Sequence, residues 1–159
     1  MSIAVETTKL IVEHLKGIFP EVESRRSYQP VLDPTELEEI GKTVLCVAPV
    51  TREAEQYTQG GMQKHELAID ICINAKLHYR NADDPEEFNA EIDELLAFAE
   101  KVYSAFLKKI VKNVGGLKVA FDQPEHVVLL HDGILQECNC FFSVVRVNAE
   151  VLAKPEVSP

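Results

Sequence analysis

Hydrophobic positions near the start of the chain recur every three or four residues, which predicts two helices. Residues 8–18 place apolar side chains on one helical face, with Thr7 as the expected N-cap. A second, short helix is expected over residues 34–40. Asp33 stands before a proline at its first position, and Gly41 follows its last apolar residue, which are typical start and stop signals.

The middle of the chain changes to strand patterns. Residues 43–48 (TVLCVA) are β-branched and apolar and end at a proline, which predicts a strand buried on both faces. Residues 67–77 alternate between apolar and polar side chains, as in a strand with one buried face. Between them, residues 49–66 are polar and contain two glycines. We call this segment the arm and expect a long exposed loop there, suited to function.

The strongest helical pattern covers residues 85–111, with Asp84 as N-cap and an apolar stripe at steps of three and four. Such a helix is about 40 Å long, enough to cross a sheet. Further strands are expected at residues 117–121, 126–130 and 138–152, with turns at residues 123–124 and 132–133.

This order of elements predicts an α+β fold. We expect a twisted, mainly antiparallel sheet of about four to five strands, with one long helix packed on a face and an N-terminal helix. Residues 1–152 are expected to form a single domain, and residues 153–159 a flexible tail.

Composition narrows the function classes. The chain has 159 residues, of which 46% are hydrophobic, so a single folded domain is expected and intrinsic disorder is not. The net charge of -10 is the wrong sign for tight nucleic-acid binding. The first thirty residues show no signal-peptide pattern and no segment is apolar enough to span a bilayer, so we expect a soluble protein made in the cytoplasm. The four cysteines are then expected to be reduced.

One group of residues has side chains that can bind a transition metal. His126, His131, Cys138 and Cys140 lie within fifteen residues, but their spacing is not that of a recurring structural zinc site. A Cys-x-Cys pair on a strand also places both sulfurs on one face without any metal. His131 beside Asp132 resembles a base with its carboxylate, yet no nucleophile motif accompanies it. We therefore predict no enzyme, no catalytic residue, no metal and no cofactor, and keep a small metal-dependent enzyme using residues 126–140 as an alternative.

Two polar segments remain as candidates for binding. Residues 21–30 are expected to form an exposed connection, in which Arg25 and Arg26 beside Tyr28 either bind an anion or simply keep a loop solvated. The arm mixes both charges with Tyr and Met, which suits protein contacts better than catalysis, although a loop without a partner has the same composition. The candidate interaction residues in the arm are Arg52, Glu53, Glu55, Tyr57, Met62 and Lys64.

Taken in order, these segments resemble the tail terminator, or tail-completion, proteins of long-tailed bacteriophages and prophages. The resemblance covers most of the chain and depends on the order and lengths of the elements, since the family has no catalytic signature. It starts with the N-terminal helix and runs through DPTELEEI, TVLCVAP, TREAEQYTQGGMQKHE, ELAIDICINAKL, DELLAFAEKVYSAFL and CFFSVVRVNAEV.

The resemblance implies a structural virion protein at the head-proximal end of the tail. Such a subunit forms a homo-oligomeric ring, commonly a hexamer, that stops growth of the tail tube and offers a surface to the head-tail connector protein. The arm is then expected to contact a neighbour or the tube protein, and acidic charge would let DNA pass through the ring without sticking. Another head-tail completion protein or a secretion-tube subunit of similar size is an alternative.

Overall fold

The computed structural model describes residues 2–57, 61–107, 111–114 and 117–153. Within these residues the chain forms four helices and seven strands in one sheet. The helices are α1 (Ile3–Ile18), α2 (Pro34–Ile40), α3 (Pro85–Ser104) and α4 (Asp132–Cys138). The strands are β1 (Glu23–Arg26), β2 (Val44–Tyr57), β3 (Gln63–Lys76), β4 (Val111–Val114), β5 (Leu117–Phe121), β6 (Glu125–Val128) and β7 (Cys140–Ala153).

The sheet is mainly antiparallel, with strand order β1-β2-β3-β7-β5-β4. Only the short pair β1 and β2 is parallel among the described pairs. Strand β3 pairs with β7 over its whole length, from Gln63 opposite Ala153 to Lys76 opposite Cys140. On its other side β7 meets two strands in succession, β6 and then β5. The predicted α+β class is therefore confirmed.

The main core lies between one face of the sheet and the two longer helices. Helix α1 contributes Ile11 and Leu15, both fully buried, and the end of the α3 segment contributes Val102 and Phe106. They pack against the odd-numbered residues of β3, such as Ile71, as the alternating pattern predicts. Burial of apolar side chains on this face is the principal stabilising contribution.

The second face of the sheet is covered only at one end. There α2 and α4 pack over a smaller cluster of buried residues that includes Leu37, Cys72 and Phe142. Helix α2 has the predicted boundaries, because Asp33 accepts a hydrogen bond from the backbone N–H of Thr35 and Gly41 adopts a left-handed φ of 71°.

Several predicted boundaries were wrong. Helix α1 starts at Ile3 with Ser2 as its N-cap, and Thr7 is buried inside the helix. The connection at residues 21–30 contains β1, which supplies a parallel neighbour for β2. Because this short strand carries mostly polar residues, it has no apolar pattern of its own, and its pairing with β2 defines it.

The long helix ends at Ser104 and not near residue 111. Its apolar stripe continues to Phe106, but the chain leaves the helix and residues 111–114 pair with β5. Strand pairing therefore replaces the helical continuation that the stripe suggested. With β1, this strand raises the described sheet above the four to five strands expected.

The segment around residues 132–138 was also misassigned. The predicted turn at Asp132 begins α4, and Cys138 ends that helix, so the last strand starts only at Cys140. The strand then continues to Ala153, and the predicted tail beyond it lies outside the described residues. Within the described part of the chain, no helix combines the length and apolarity needed to cross a membrane.

Candidate interaction surfaces

The arm is a β-hairpin and not the predicted loop. Strand β2 continues through it to Tyr57, and β3 returns from Gln63. The pairing register shifts between Pro49 and Thr51, so a bulge interrupts the alternation that would have marked the strand in the sequence. Polar residues are tolerated in this part of the sheet because none of the four described helices covers its second face at this end.

The six candidate residues of the arm lie along this hairpin. Arg52, Glu53, Glu55 and Tyr57 belong to β2, and their side chains lie outside the described part of the structure. Met62 is half-buried just before β3. Lys64 on β3 places its Nζ 3.2 Å from Oε1 of Glu150 and 3.6 Å from Oε1 of Glu66. The Lys64 ammonium therefore bridges the carboxylates of Glu66 and Glu150, which face each other across the β3–β7 ladder.

The outer edge of β2 is open along the arm. Among the described strands, β1 pairs with β2 only from Val44 to Val47. Beyond Val47 the edge carries features that discourage random strand pairing, since Pro49 has no N–H to donate and the bulge bends the strand. Within the described ranges no strand pairs with the main-chain groups of residues 50–57 that point away from β3, so these groups can pair with a strand of matching shape.

The uncovered part of the second sheet face is lined by polar side chains, and we call it the open face. Arg146 and Asp70 form a two-pronged ion pair at its centre, with nitrogen to oxygen distances of 2.8 and 3.1 Å. Beyond this pair, Asn148 donates to Glu125 at 3.2 Å. The open face is therefore polar and rich in carboxylates, with a shallow cavity of about 380 Å³ near Glu66.

The group at residues 126–140 is dispersed by the fold. The ring of His126 stacks on Tyr103 of α3 with centroids 4.6 Å apart, and Nδ1 of His131 accepts the backbone N–H of Ile134 as the N-cap of α4. Cys138 ends α4, and Cys140 is buried and donates its S–H to the carbonyl of Cys138. In the described part of the chain, no three His, Cys, Asp or Glu side chains converge as metal ligands would.

All four cysteines are free thiols gathered around the smaller core. Cys46 and Cys72 lie directly opposite each other on β2 and β3. Burial raises the pKa of the Cys46 thiol to about 11 and that of the Cys72 thiol to about 12. Both are therefore neutral, unreactive packing groups near pH 7.

Arg25 and Arg26 differ in their surroundings, since Arg25 is paired with carboxylates of the chain and Arg26 is exposed. Arg25 donates to the Glu23 carboxylate at 2.8 Å and to the Glu36 carboxylate at 3.1 Å, so its fork is occupied within the chain. These hydrogen bonds, the one to Glu23 first, raise the pKa of Arg25. Arg26 and Tyr28 are exposed, and Tyr28 retains 73% of its accessible surface.

Sequence analysis missed a polar pair beside a large cavity. Nδ1 of His78 lies 2.6 Å from Oε2 of Glu91, while Oε1 of Glu91 accepts the backbone N–H groups of His78 and Tyr79. Glu91 is thus fixed by three contacts and is only 15% exposed, whereas His78 is 82% exposed. A cavity of about 570 Å³ adjoins the pair between α2 and α3. No spacing in the sequence could have indicated it, because the pair joins a strand end to the second turn of a helix.

Comparison with known proteins assigns no family. The sequence matches no protein-family model and no curated protein.

Proposed function

We propose that the chain is a structural subunit of a phage-type tail, a tail terminator that assembles into a ring on the last tube ring and limits tube growth. The proposal combines the order of elements along the chain with the hairpin form of the arm. It assigns no catalytic chemistry and no cofactor to the protein. Its partners are other copies of the chain, the tail tube protein and the head-tail connector protein.

The observation that carries the proposal is the open outer edge of β2. A ring of identical subunits needs one surface of each subunit to fit a different surface of the next, since this head-to-tail contact is what closes a ring. Residues 50–57 offer main-chain donors and acceptors on the side away from β3, which no other described strand uses, and this suits strand addition to a neighbouring copy or to the tube. The bulge and Pro49 restrict which strands can pair there.

The charge distribution supports a subunit that DNA passes without binding. The net charge is -10, and the open face carries Glu66, Glu125 and Glu150. On this face Lys64 contacts Glu66 and Glu150, and Arg146 is paired with Asp70. If this face lines the ring, Glu125→Lys or Glu150→Lys should slow DNA release from assembled particles. Unchanged release would contradict that orientation.

Native mass spectrometry of the purified protein over a concentration series tests the proposal. The expected species is a closed, metal-free ring near six times 17.8 kDa. A monomer or dimer carrying one zinc ion per chain would overturn it in favour of a metal-dependent protein. If the protein is a metal-free monomer, it should be mixed with tail tubes of the same phage, because a ring can require the tube as a template. Electron microscopy should then show the chain as a ring at one tube end.

A further inference from the structure

A separate surface lies between α2 and α3, on the side of the molecule where β3 ends. Its cavity of about 570 Å³ is within the range of volumes that ligand sites occupy. The floor is apolar and includes Leu37, Leu77, Leu95 and Phe98. The last two stand three residues apart on α3 and are only partly buried, so they present apolar surface to whatever enters the cavity.

The rim of the cavity is acidic. Glu21, Glu38 and Glu94 are exposed there, and within the described ranges none of the three makes an ion pair or a side-chain hydrogen bond. Of the two lysines at the rim, Lys76 turns away, because its ammonium donates to the carbonyls of Cys138 and Asn139 at 3.1 and 3.3 Å. The carboxylates therefore outnumber the cations available to them.

The cavity adjoins a second one, and we call the two together the trough. A second, more polar cavity of about 560 Å³ lies across the ridge formed by residues 76–78, and Glu38 lines both cavities. His78 stands on this ridge and is held by Glu91, so the ridge has a fixed shape. Two adjoining cavities suit a chain segment of several residues better than one compact small molecule.

We propose that this trough binds a segment of a partner protein in which a large apolar side chain is followed within two residues by Lys or Arg. The apolar side chain enters between α2 and α3 and contacts Leu95 and Phe98. The basic side chain then meets the carboxylates of Glu38 and Glu94, where opposite charge favours association and discriminates against acidic segments. This inference rests on the cavities and the acidic rim, and it holds whether or not the chain forms a ring.

The test is selection from a library of random octapeptides by the whole protein, followed by titration of one selected peptide by isothermal calorimetry. The expected selection is an aromatic or aliphatic residue with Lys or Arg within two positions. The double variant Glu38→Lys/Glu94→Lys should weaken binding of that peptide at least about tenfold, and the loss should shrink at high salt. The same variant should select acidic residues in place of basic ones.

The matched control is Glu100→Lys on the same helix, six residues from Glu94 and outside the cavity. It makes the same substitution on an exposed residue, so it should leave both the selected pattern and the affinity unchanged. Both variants change solvent-exposed side chains, so each should remain folded, and circular dichroism is the measurement that checks this. Selection of peptides without the apolar-basic pattern, or equal weakening by Glu100→Lys, would overturn the proposal.

Discussion

Arg146 on β7 donates to both carboxylate oxygens of Asp70 on β3, from Nε at 2.8 Å and from Nη2 at 3.1 Å. The two residues are directly opposite in the ladder, so the pair joins β3 and β7 near their centres. A planar guanidinium matches a carboxylate in this two-pronged geometry, and an ammonium does not. The Asp70 carboxylate also raises the pKa of Arg146.

Arg146→Lys should lower the free energy of unfolding by about 1 to 2 kcal/mol, because it keeps the charge but loses one prong of the pair. Urea denaturation at neutral pH measures the change. Arg26→Lys, on an exposed arginine that forms no ion pair with any other described residue, serves as the control and should change stability by less than about 0.5 kcal/mol. Equal stability of the two variants would show that the fork contributes nothing beyond its charge.

Asn74 is a buried amide that pins the loop before α2. Its Oδ1 accepts the backbone N–H of Leu32 at 3.1 Å, and its Nδ2 donates to the carbonyl of Pro30 at 2.8 Å. Asn74→Leu should destabilise the fold by about 2 to 3 kcal/mol, since it leaves both backbone groups without their partner. Chemical denaturation measures the loss. Asn89→Leu, at an exposed position on α3, should cost little, and a similar loss there would contradict the assignment.

The buried thiols predict a loss of stability at alkaline pH. Burial raises the pKa of Cys46 to about 11 and of Cys72 to about 12, whereas an exposed thiol has a value of 9.0. Between these values the unfolded chain releases protons that the folded chain retains, so the free energy of unfolding falls as pH rises. The expected fall is on the order of 2 kcal/mol for each thiol, and so about 4 kcal/mol for the two together, by about pH 10.5.

Denaturation of the wild type and of Cys46→Ala/Cys72→Ala over this pH range measures the effect. The double variant loses some packing at every pH but should show a flatter dependence, because lysine and tyrosine titrations are common to both proteins. Parallel curves would contradict the assignment to these thiols. At pH 8 the native protein should also react slowly with a thiol reagent at both positions.

The open edge of β2 predicts an effect of proline at one position. The backbone N–H of Leu77 donates to the carbonyl of Asn139, so the odd-numbered residues of β3 direct their main-chain groups toward β7. The even-numbered residues direct theirs toward β2, and the main-chain groups of Glu66 therefore face those of Glu53. Ala54, one residue further, then points its N–H away from β3. Ala54→Pro should remove an outward donor while leaving the hairpin ladder intact, and should dissociate a ring that uses this edge.

Native mass spectrometry compares Ala54→Pro with Ala54→Val, which keeps the N–H. The valine variant should assemble as the wild type does. Identical assembly of both variants would place the contact between subunits elsewhere on the chain.

Elements that are defined by interactions between neighbouring residues were predicted correctly, whereas elements that are defined by distant partners were not. Helix α2 was predicted to the residue because Asp33, a proline and Gly41 act within one or two turns. The end of α3 and the strand at residues 111–114 were not, because the partner that decides between helix and strand is β5. The hairpin form of the arm was not predicted because a bulge hides its alternation, and because the pairing of residues 63–66 with β7 involves a distant part of the chain.

The sequence by itself determined the α+β class, the buried strands and the acidic surface, since hydrophobic periodicity and charge are properties of neighbouring residues. Tertiary structure alone decided the surfaces available for binding. The trough joins Glu21, Glu38 and Glu94 from three separate segments, and the open edge of β2 exists because β1 ends at Arg26. Both depend on contacts between residues far apart in the chain, which no local pattern encodes.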